Sequence, residues 1–300
     1  MRRSTFAKGR PVALMTVLSV GCTLFFFRYC YLESSELNIS NYISQSLFQA
    51  SICDIDYINS AKSALEQDDP CILRIIREKF LFPPSQNRLH LYDPRNHNPS
   101  QGQADVILDV LKDQKNGFFV ECGALDGELR SNTLYMELDL EWQGVLIEGD
   151  PKNYKKVLEK NRRVWTVPAC LSTSPYPKTV VYNQAFNLGR ISQNETIDEK
   201  REESVRVQCF PFFSILSALD QTQIDYFSLD IEGDEFTVLK TIPWDRVDIK
   251  TLSVEIAHDL ENKKIIRAYM EQKGYEIVAP YPEEGDTVGN DFIFKKRRIE

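Results

Sequence analysis

Residues 117–150 read GFFVECGALDGELRSNTLYMELDLEWQGVLIEGD, and the order of elements in them decides the fold. A short apolar run at 118–120 leads into Glu121, Gly123 and Gly127, a helical pattern occupies 132–140, and a second apolar run at 144–147 ends in Glu148. Apolar runs bounded by turn residues, with a helix between them, make a βαβ unit whose strands lie parallel. Glu148 stands 21 residues beyond Gly127, close to the ~20-residue spacing that brings a carboxylate onto a ribose edge in nucleotide-binding folds. A βαβ unit with a glycine turn and no ligand is the plain alternative.

The loop itself narrows the ligand. A dinucleotide needs glycine where its pyrophosphate approaches the backbone, and here that middle position is Leu125. Two glycines flanking a bulky residue, with an acid at the strand end, suit a ligand that carries a cationic amino group and no phosphate, and S-adenosylmethionine is such a ligand. The expectation is that Glu121 or Asp126 binds its ammonium, directly or through water. Gly123, Ala124 and Gly127 would then lie against its methionine portion, and Glu148 would hold both ribose hydroxyls.

From 104 onward, helical and strand patterns alternate, as in a mostly parallel α/β sheet covered on both faces. A helix at 104–112 precedes the first strand. Asp150 and Pro151 open a helix running to about 161, with proline in the first turn where its missing donor costs nothing. A strand at 164–168 leads to Ala169, Cys170 and Leu171, which the topology places near the adenine. The polar stretch 183–204 reads as a flap over the site or as a surface insertion.

A second strand, acid and helix recur at 224–239, IDYFSLDIEGDEFTVL. The acid at the strand end is Asp230, and Glu232 follows it. A carboxylate at the C-terminal end of a strand in an open α/β sheet faces the ligand crevice. Asp230 is therefore a candidate contact to cofactor or acceptor, or part of a metal site with Glu232. Asp234 and Glu235 fall in the next helix's first turn, where carboxylates favour the helix dipole. A strand at 251–256, a helix at 259–272 and strands at 275–278 and 291–294 complete the sheet, the last two pairing antiparallel at its edge. His258 follows the strand carrying Glu255 and is the one histidine of three placed to act as a base, with a capping or surface role as the alternative.

The N-terminus differs in kind. Arg2, Arg3, Lys8 and Arg10 precede an uncharged apolar run at 11–27, closed by Arg28. That run sits at the lower limit of the ~17 to 25 residues a membrane helix needs, and the early positive charge keeps residues 1–10 cytosolic. No small-residue cleavage site is visible, so the reading is an uncleaved signal anchor at 11–32, a stem and lead-in at 33–103 and a lumenal domain at 104–300. Seven cysteines agree with an oxidising compartment. Cys53 and Cys71 are positioned to form a bridge, whereas Cys122 reads as a small buried side chain. Sequons at Asn38 and Asn194 are glycosylation candidates under that topology. A net charge of −8, with no basic stripe or zinc-finger spacing, argues against a nucleic-acid partner.

The blocks FFVECGALDGE, LIEGDPKNYKKVLEKN and DYFSLDIEGDEFTVLK, followed by SVEIAH, resemble successive blocks of the FkbM-type S-adenosylmethionine-dependent methyltransferases over about 117–294. The resemblance implies the class I methyltransferase fold, Rossmann-like, with a seven-stranded doubly wound sheet whose last strand is antiparallel. It places Glu121, Gly123, Gly127 and Glu148 at the cofactor and Asp230 and Glu232 at the reaction centre. CGALDGE with SNTLYMEL, the upstream DDPCILRIIREKFLFPPS and the short anchor resemble the Star family of single-pass membrane proteins more closely. That resemblance implies a role in moving membrane-bound growth-factor precursors from the endoplasmic reticulum to later compartments. Two functions follow as expectations: O-methyl transfer to a glycan, lipid or small molecule in the secretory pathway, or non-catalytic handling of membrane-protein cargo.

Overall fold

A computed structural model describes residues 53–61, 64–193, 203–256, 260–278 and 287–297. The expected anchor at 11–32, both sequons and His258 lie outside the described residues. Among the described residues, no helix is long and apolar enough to cross a membrane.

Two short helices lead in: α1 (Ile55–Ala61) and α2 (Pro70–Ile75). Asp69 caps α2 by accepting the Cys71 N–H at 2.8 Å, and Pro70 fills the first turn. The helix passes directly into a π-helical turn over Ile76–Phe80. This lead-in is bound to the sheet domain: Arg77 Nε donates to the Ala218 carbonyl at 2.8 Å and Phe82 bridges antiparallel to Thr166. Cys53 and Cys71 are both disulfide-bonded.

The domain continues with α3 (Gln103–Leu111), β1 (Phe118–Cys122), α4 (Leu134–Leu140), β2 (Gln143–Ile147), α5 (Pro151–Glu159) and β3 (Trp165–Val167). Then come β4 (Cys170–Leu171), β5 (Lys178–Asn183), β6 (Arg190–Ile191), β7 (Ser204–Phe210) and α6 (Phe212–Ala218). The chain closes with β8 (Gln223–Leu229), α7 (Glu235–Thr241), β9 (Asp248–Glu255), α8 (Leu260–Gln272), β10 (Tyr275–Ile277), β11 (Thr287–Val288) and β12 (Asp291–Lys296).

The main sheet runs β10-β12-β9-β8-β1-β2-β3, with β11 attached to β12. Strands β9, β8, β1, β2 and β3 run parallel to one another, and β12 is antiparallel to both β9 and β10. The expected antiparallel pair at the edge is present, but β12 enters between β9 and β10 instead of ending the sheet. Phe119, Val120, Val145, Leu146, Tyr226 and Phe227 have no exposure, because helices cover both faces of the central strands. Their sequences therefore read as continuous apolar runs and not as alternating patterns.

From β1 the chain builds outward through β2 and β3, then returns to place β8 on β1's other side. The strand order reverses between β1 and β2 on one hand and β8 on the other, which leaves a crevice beyond their C-terminal ends. The sequence did not reveal a second sheet of order β4-β7-β5-β6, which grows from the connection after β3. The stretch expected as a flap or surface insertion, 183–204, holds β6 and joins β5 to β7, so it is part of this sheet as far as it is described. A disulfide joins Cys170 on β4 to Cys209 on β7, opposite one another in register with Cα atoms 4.3 Å apart.

Candidate cofactor site

The loop after β1 is tied to both neighbouring strands. Gly123 and Ala124 donate their N–H groups to the Ile147 carbonyl at 3.0 and 3.2 Å, and the Asp230 N–H donates to the Cys122 carbonyl at 3.2 Å. Gly123 has φ 81° and passes so close to Asp230 that a Cβ would collide with the Asp230 carbonyl oxygen. Leu125, at φ 54°, presents its N–H to Glu148 Oε2 at 2.8 Å, while Glu148 Oε1 accepts the Asp150 N–H at 2.7 Å. The acid at the end of β2 thus fixes the loop at the end of β1. Burial pushes the Glu148 carboxyl up to about 8, opposed by those two N–H donors.

Two of the expected cofactor residues do other work. Asp126 Oδ1 accepts the N–H groups of Glu128 and Leu129 at 2.9 and 2.7 Å, closing a turn, and the side chain does not line the cleft. Gly127, at φ 81°, also lies off the cleft and packs against Val157 and Lys160 of the α5 region. The left-handed Leu125 sits inside a turn closed by the Gly127 N–H, which donates to the Ala124 carbonyl at 2.8 Å. Glu121 does border the cleft, yet its carboxylate is taken up by the protein. Oε1 accepts the Asn132 N–H at 2.7 Å, Oε2 accepts from Ser131 at 2.8 Å and from Thr133, and Arg162 Nη1 stands 3.8 Å away. The buried Arg162 also donates to Glu137, to the Gly127 carbonyl at 2.9 Å and to Ser131 at 3.1 Å. Such a network is paired throughout, as buried charge requires.

The cleft encloses roughly 900 Å³ of empty space, part of it open to solvent. One wall comes from the main sheet: Gly123, Ala124, Leu125, Asn132, Glu148, Ser228, Asp230 and Glu232. The second sheet supplies the other: Cys170, Leu171, Tyr182, Phe186 and Ile191. Stretch 183–204 therefore contributes to the site through its described part. Tyr182 packs beside Gly149 and the Cys170 disulfide, and burial together with the nearby Glu148 carboxylate pushes its phenol up. Tyr182 ends the short apolar run 179–182, which in sequence gives no indication of which way its side chains face, and Asn132, Ser228 and Phe186 carry no sequence signal. Cys122 is buried and free, with its thiol pushed well up by burial, so it is an inert small side chain as expected.

The other end of the cleft is acidic. Asp230, Glu232 and Glu255 each bring one carboxylate oxygen within 4.8 Å of the others, an arrangement able to hold a divalent cation. Glu232 adopts φ 62° here, a strained conformation of the kind found at ligand sites. Burial, then the neighbouring Asp230, pushes Glu255 up to about 10, and burial with the same neighbour pushes Asp291 up to about 8. Glu235 accepts the N–H groups of Ile231 and Gly233 at 2.9 and 3.1 Å, the structural role expected of it.

These carboxyls make a prediction about pH. Unfolded, they ionise near pH ~4, whereas folded Asp291 keeps its proton to about 8. The fold binds the extra proton between those values, so the Asp291 contribution to stability is complete below about 4 and is lost as pH rises through about 8. Asp291→Asn, which cannot ionise, is expected to gain steadily in melting temperature relative to the wild type from pH 5 to pH 8. Calorimetric melts at matched pH check this, and a constant difference would refute it.

The strand order, the antiparallel strand inserted beside the edge, and a crevice with an acid closing β2 define a Rossmann-like domain of the class I methyltransferase type. The family model described as methyltransferase FkbM domain matches residues 121–277, more than half of the 300-residue chain. The chain belongs to the FkbM methyltransferase family. Among solved structures it is similar to the precorrin-6y C5,15-methyltransferase of Geobacter metallireducens GS-15, at 14% identity over 65% of this chain and 87% of that one, with a TM-score of 0.34. It is also similar to a Pyrococcus horikoshii protein described as an RNA methyltransferase, at 9% identity over 75% of this chain and 97% of that one, with a TM-score of 0.36. Both likenesses are too distant to bear on activity. No curated protein matches the sequence significantly.

Proposed function

We propose that the domain binds S-adenosylmethionine and directs its methyl group to a hydroxyl acceptor on a glycan, lipid or small molecule. The observation that carries this reading is Glu148, held by two backbone N–H groups at the C-terminal end of β2, facing the same cleft as Gly123 and Tyr182. Glu148 would hold the ribose hydroxyls and Tyr182 would cover the adenine. Arg130 is the only basic side chain lining the cleft among the described residues, against Asp230, Glu232 and Asp234. That balance fits a cationic, phosphate-free cofactor.

When bound, S-adenosylmethionine supplies an already electrophilic methyl group. The chain's own task is to align the acceptor and take its proton. Asp230 and Glu232 border the acidic end and are the groups placed to do so, with His258 remaining a candidate base from the sequence alone. The apolar N-terminal run and the Cys170–Cys209 disulfide support a single-pass type II topology with the domain in the lumen of the endoplasmic reticulum or Golgi.

The same disulfide favours a second reading. An oxidising lumen is remote from the cytosolic source of S-adenosylmethionine, which suits a Star-like, non-catalytic factor that handles membrane-bound growth-factor precursors. Calorimetry on the full-length chain in detergent separates the two. The enzyme reading expects S-adenosylmethionine to bind with a dissociation constant on the order of micromolar. No heat at millimolar ligand would leave the cargo reading.

A further inference from the structure

We infer that the Cys170–Cys209 disulfide makes cofactor binding conditional on oxidation, because it holds the second sheet in place as a wall of the cleft. The inference rests on the S-adenosylmethionine reading above. β4 is Cys170–Leu171 alone and follows closely on β3, so it marks the point where the chain leaves the main sheet. It pairs only with β7, Cys170 opposite Cys209 and Leu171 opposite Phe210, and the bridge lies on the first of these pairs.

The second sheet has little core of its own. Its apolar cluster buries Cys170, Val207 and Cys209, with Val180, Tyr182, Ile191 and Val205 partly buried against them. The bridged cysteines are thus the centre of that cluster. Polar ties add to it: Gln184 Nε2 donates to Asp150 at 2.6 Å, Asn153 Nδ2 donates to the Phe186 carbonyl at 2.9 Å, and Asn59 of α1 exchanges amide bonds with Gln208 at 2.9 and 3.0 Å. Each of these exchanges for a bond to water at modest net cost. The covalent bridge does not.

The bridge also touches the site. A Cβ on Gly149, the residue after Glu148, would meet Cys170 Cβ at 3.2 Å and the Tyr182 ring at 3.3 Å, so both side chains rest on the backbone beside the ribose acceptor. Tyr182, Phe186 and Ile191 line the cleft and lie inside the segment that the bridge closes, whose ends are 39 residues apart. Joining the ends of so long a segment removes much of the freedom it would have when open. In forming, the bridge passes two electrons and two protons to a disulfide of an oxidising compartment, which becomes a dithiol. Cys170 and Cys209 are buried, so the folded wall shields the bridge from thiols, and the competence to bind cofactor records the compartment in which the chain folded.

The test is calorimetry with S-adenosylhomocysteine on the full-length chain in detergent. Cys170→Ala/Cys209→Ala should weaken binding at least about tenfold. Tyr182→Ala should weaken it as well, but the triple variant should stay within about twofold of the one lacking the bridge, since a displaced wall has no Tyr182 contact left to lose. Hydrogen exchange locates the change: β5 and β7 should exchange faster without the bridge, while β1, β2, β8 and β9 keep their protection. Four results overturn the inference: unchanged affinity without the bridge, losses that add in the triple variant, unchanged exchange at β5 and β7, or a main sheet that fails to fold without the bridge, which would then serve the whole domain and not the wall. A wild type that binds no S-adenosylhomocysteine overturns the cofactor reading itself, and exchange at β5 and β7 then still decides whether the bridge holds the wall.

Discussion

Gly123→Ala is expected to cost at least about 4 kcal/mol, enough to abolish most of the stability of a domain of ordinary marginality. The position combines two demands that are separate elsewhere in the loop. Its φ of 81° disfavours any side chain, at roughly 1–2 kcal/mol. The larger cost comes from space. A Cβ there would run into the backbone carbonyl of Asp230, and that carbonyl cannot swing aside as a side chain can. Moving it would break the Asp230 N–H bond to Cys122 or the Gly123 N–H bond to Ile147, and with them the joint between β1, β2 and β8. Gly127 supplies the control. It has the same φ of 81°, but a Cβ there would meet Val157 and Lys160 at 3.5–3.6 Å, an ordinary contact. Gly127→Ala is therefore expected to cost only the conformational part, about 1–2 kcal/mol. Urea denaturation of both variants measures the difference, and equal losses would show that conformation alone, without the close approach, explains both glycines.

Glu148→Ala is the second large effect. Removal of the carboxylate strips the acceptor from the buried N–H groups of Leu125 and Asp150, at about 1–3 kcal/mol for each donor left unpaired. The expected loss of stability is therefore about 2–6 kcal/mol, from the release of the loop that carries Leu125. S-adenosylmethionine binding is expected to fall more than 100-fold, about 3 kcal/mol, because the same side chain is lost as the ribose acceptor. Glu148→Gln keeps one carbonyl acceptor and should fall between the two in stability. Calorimetric titration at 15 °C, where the weakened variant still folds, separates the two losses. Retained affinity in folded Glu148→Ala would leave Glu148 as a brace for the glycine loop and nothing more.

Much of this was legible before any coordinates. The βαβ unit at 117–150 fixed parallel pairing of β1 and β2, because short apolar runs bounded by turns admit few other arrangements. The spacing from the glycine loop to Glu148 located the end of β2 correctly, and Asp230 emerged at the end of β8 by the same reasoning. Helix starts were also readable where chemistry marks them, as at Asp150 and Pro151. The second sheet was not. Strand β7 does alternate, with Val205, Val207 and Cys209 set against Arg206 and Gln208, but its partner β5 lies on the far side of 184–203, so nothing local marks the pairing. Their inward residues, Tyr182 among them, acquire a role only when the hairpin folds against the cleft.

The glycine loop shows where local sequence stops deciding. The acids Glu121, Asp126 and Glu148 are equivalent in kind on the page, each a carboxylate close to a glycine turn. Tertiary structure separated them through the donors each one meets. Arg162, from beyond α5, and the turn at Ser131 to Thr133 occupy Glu121, the backbone of its own turn occupies Asp126, and Glu148 borders the cleft with one backbone N–H on each oxygen. The sequence by itself determined the strand–helix order, the acids at the strand ends and the family. Which carboxylates remain available to a ligand was settled only by packing, because a hydrogen-bond acceptor is spent by whichever donor the fold brings nearest, and that donor is often distant in the chain.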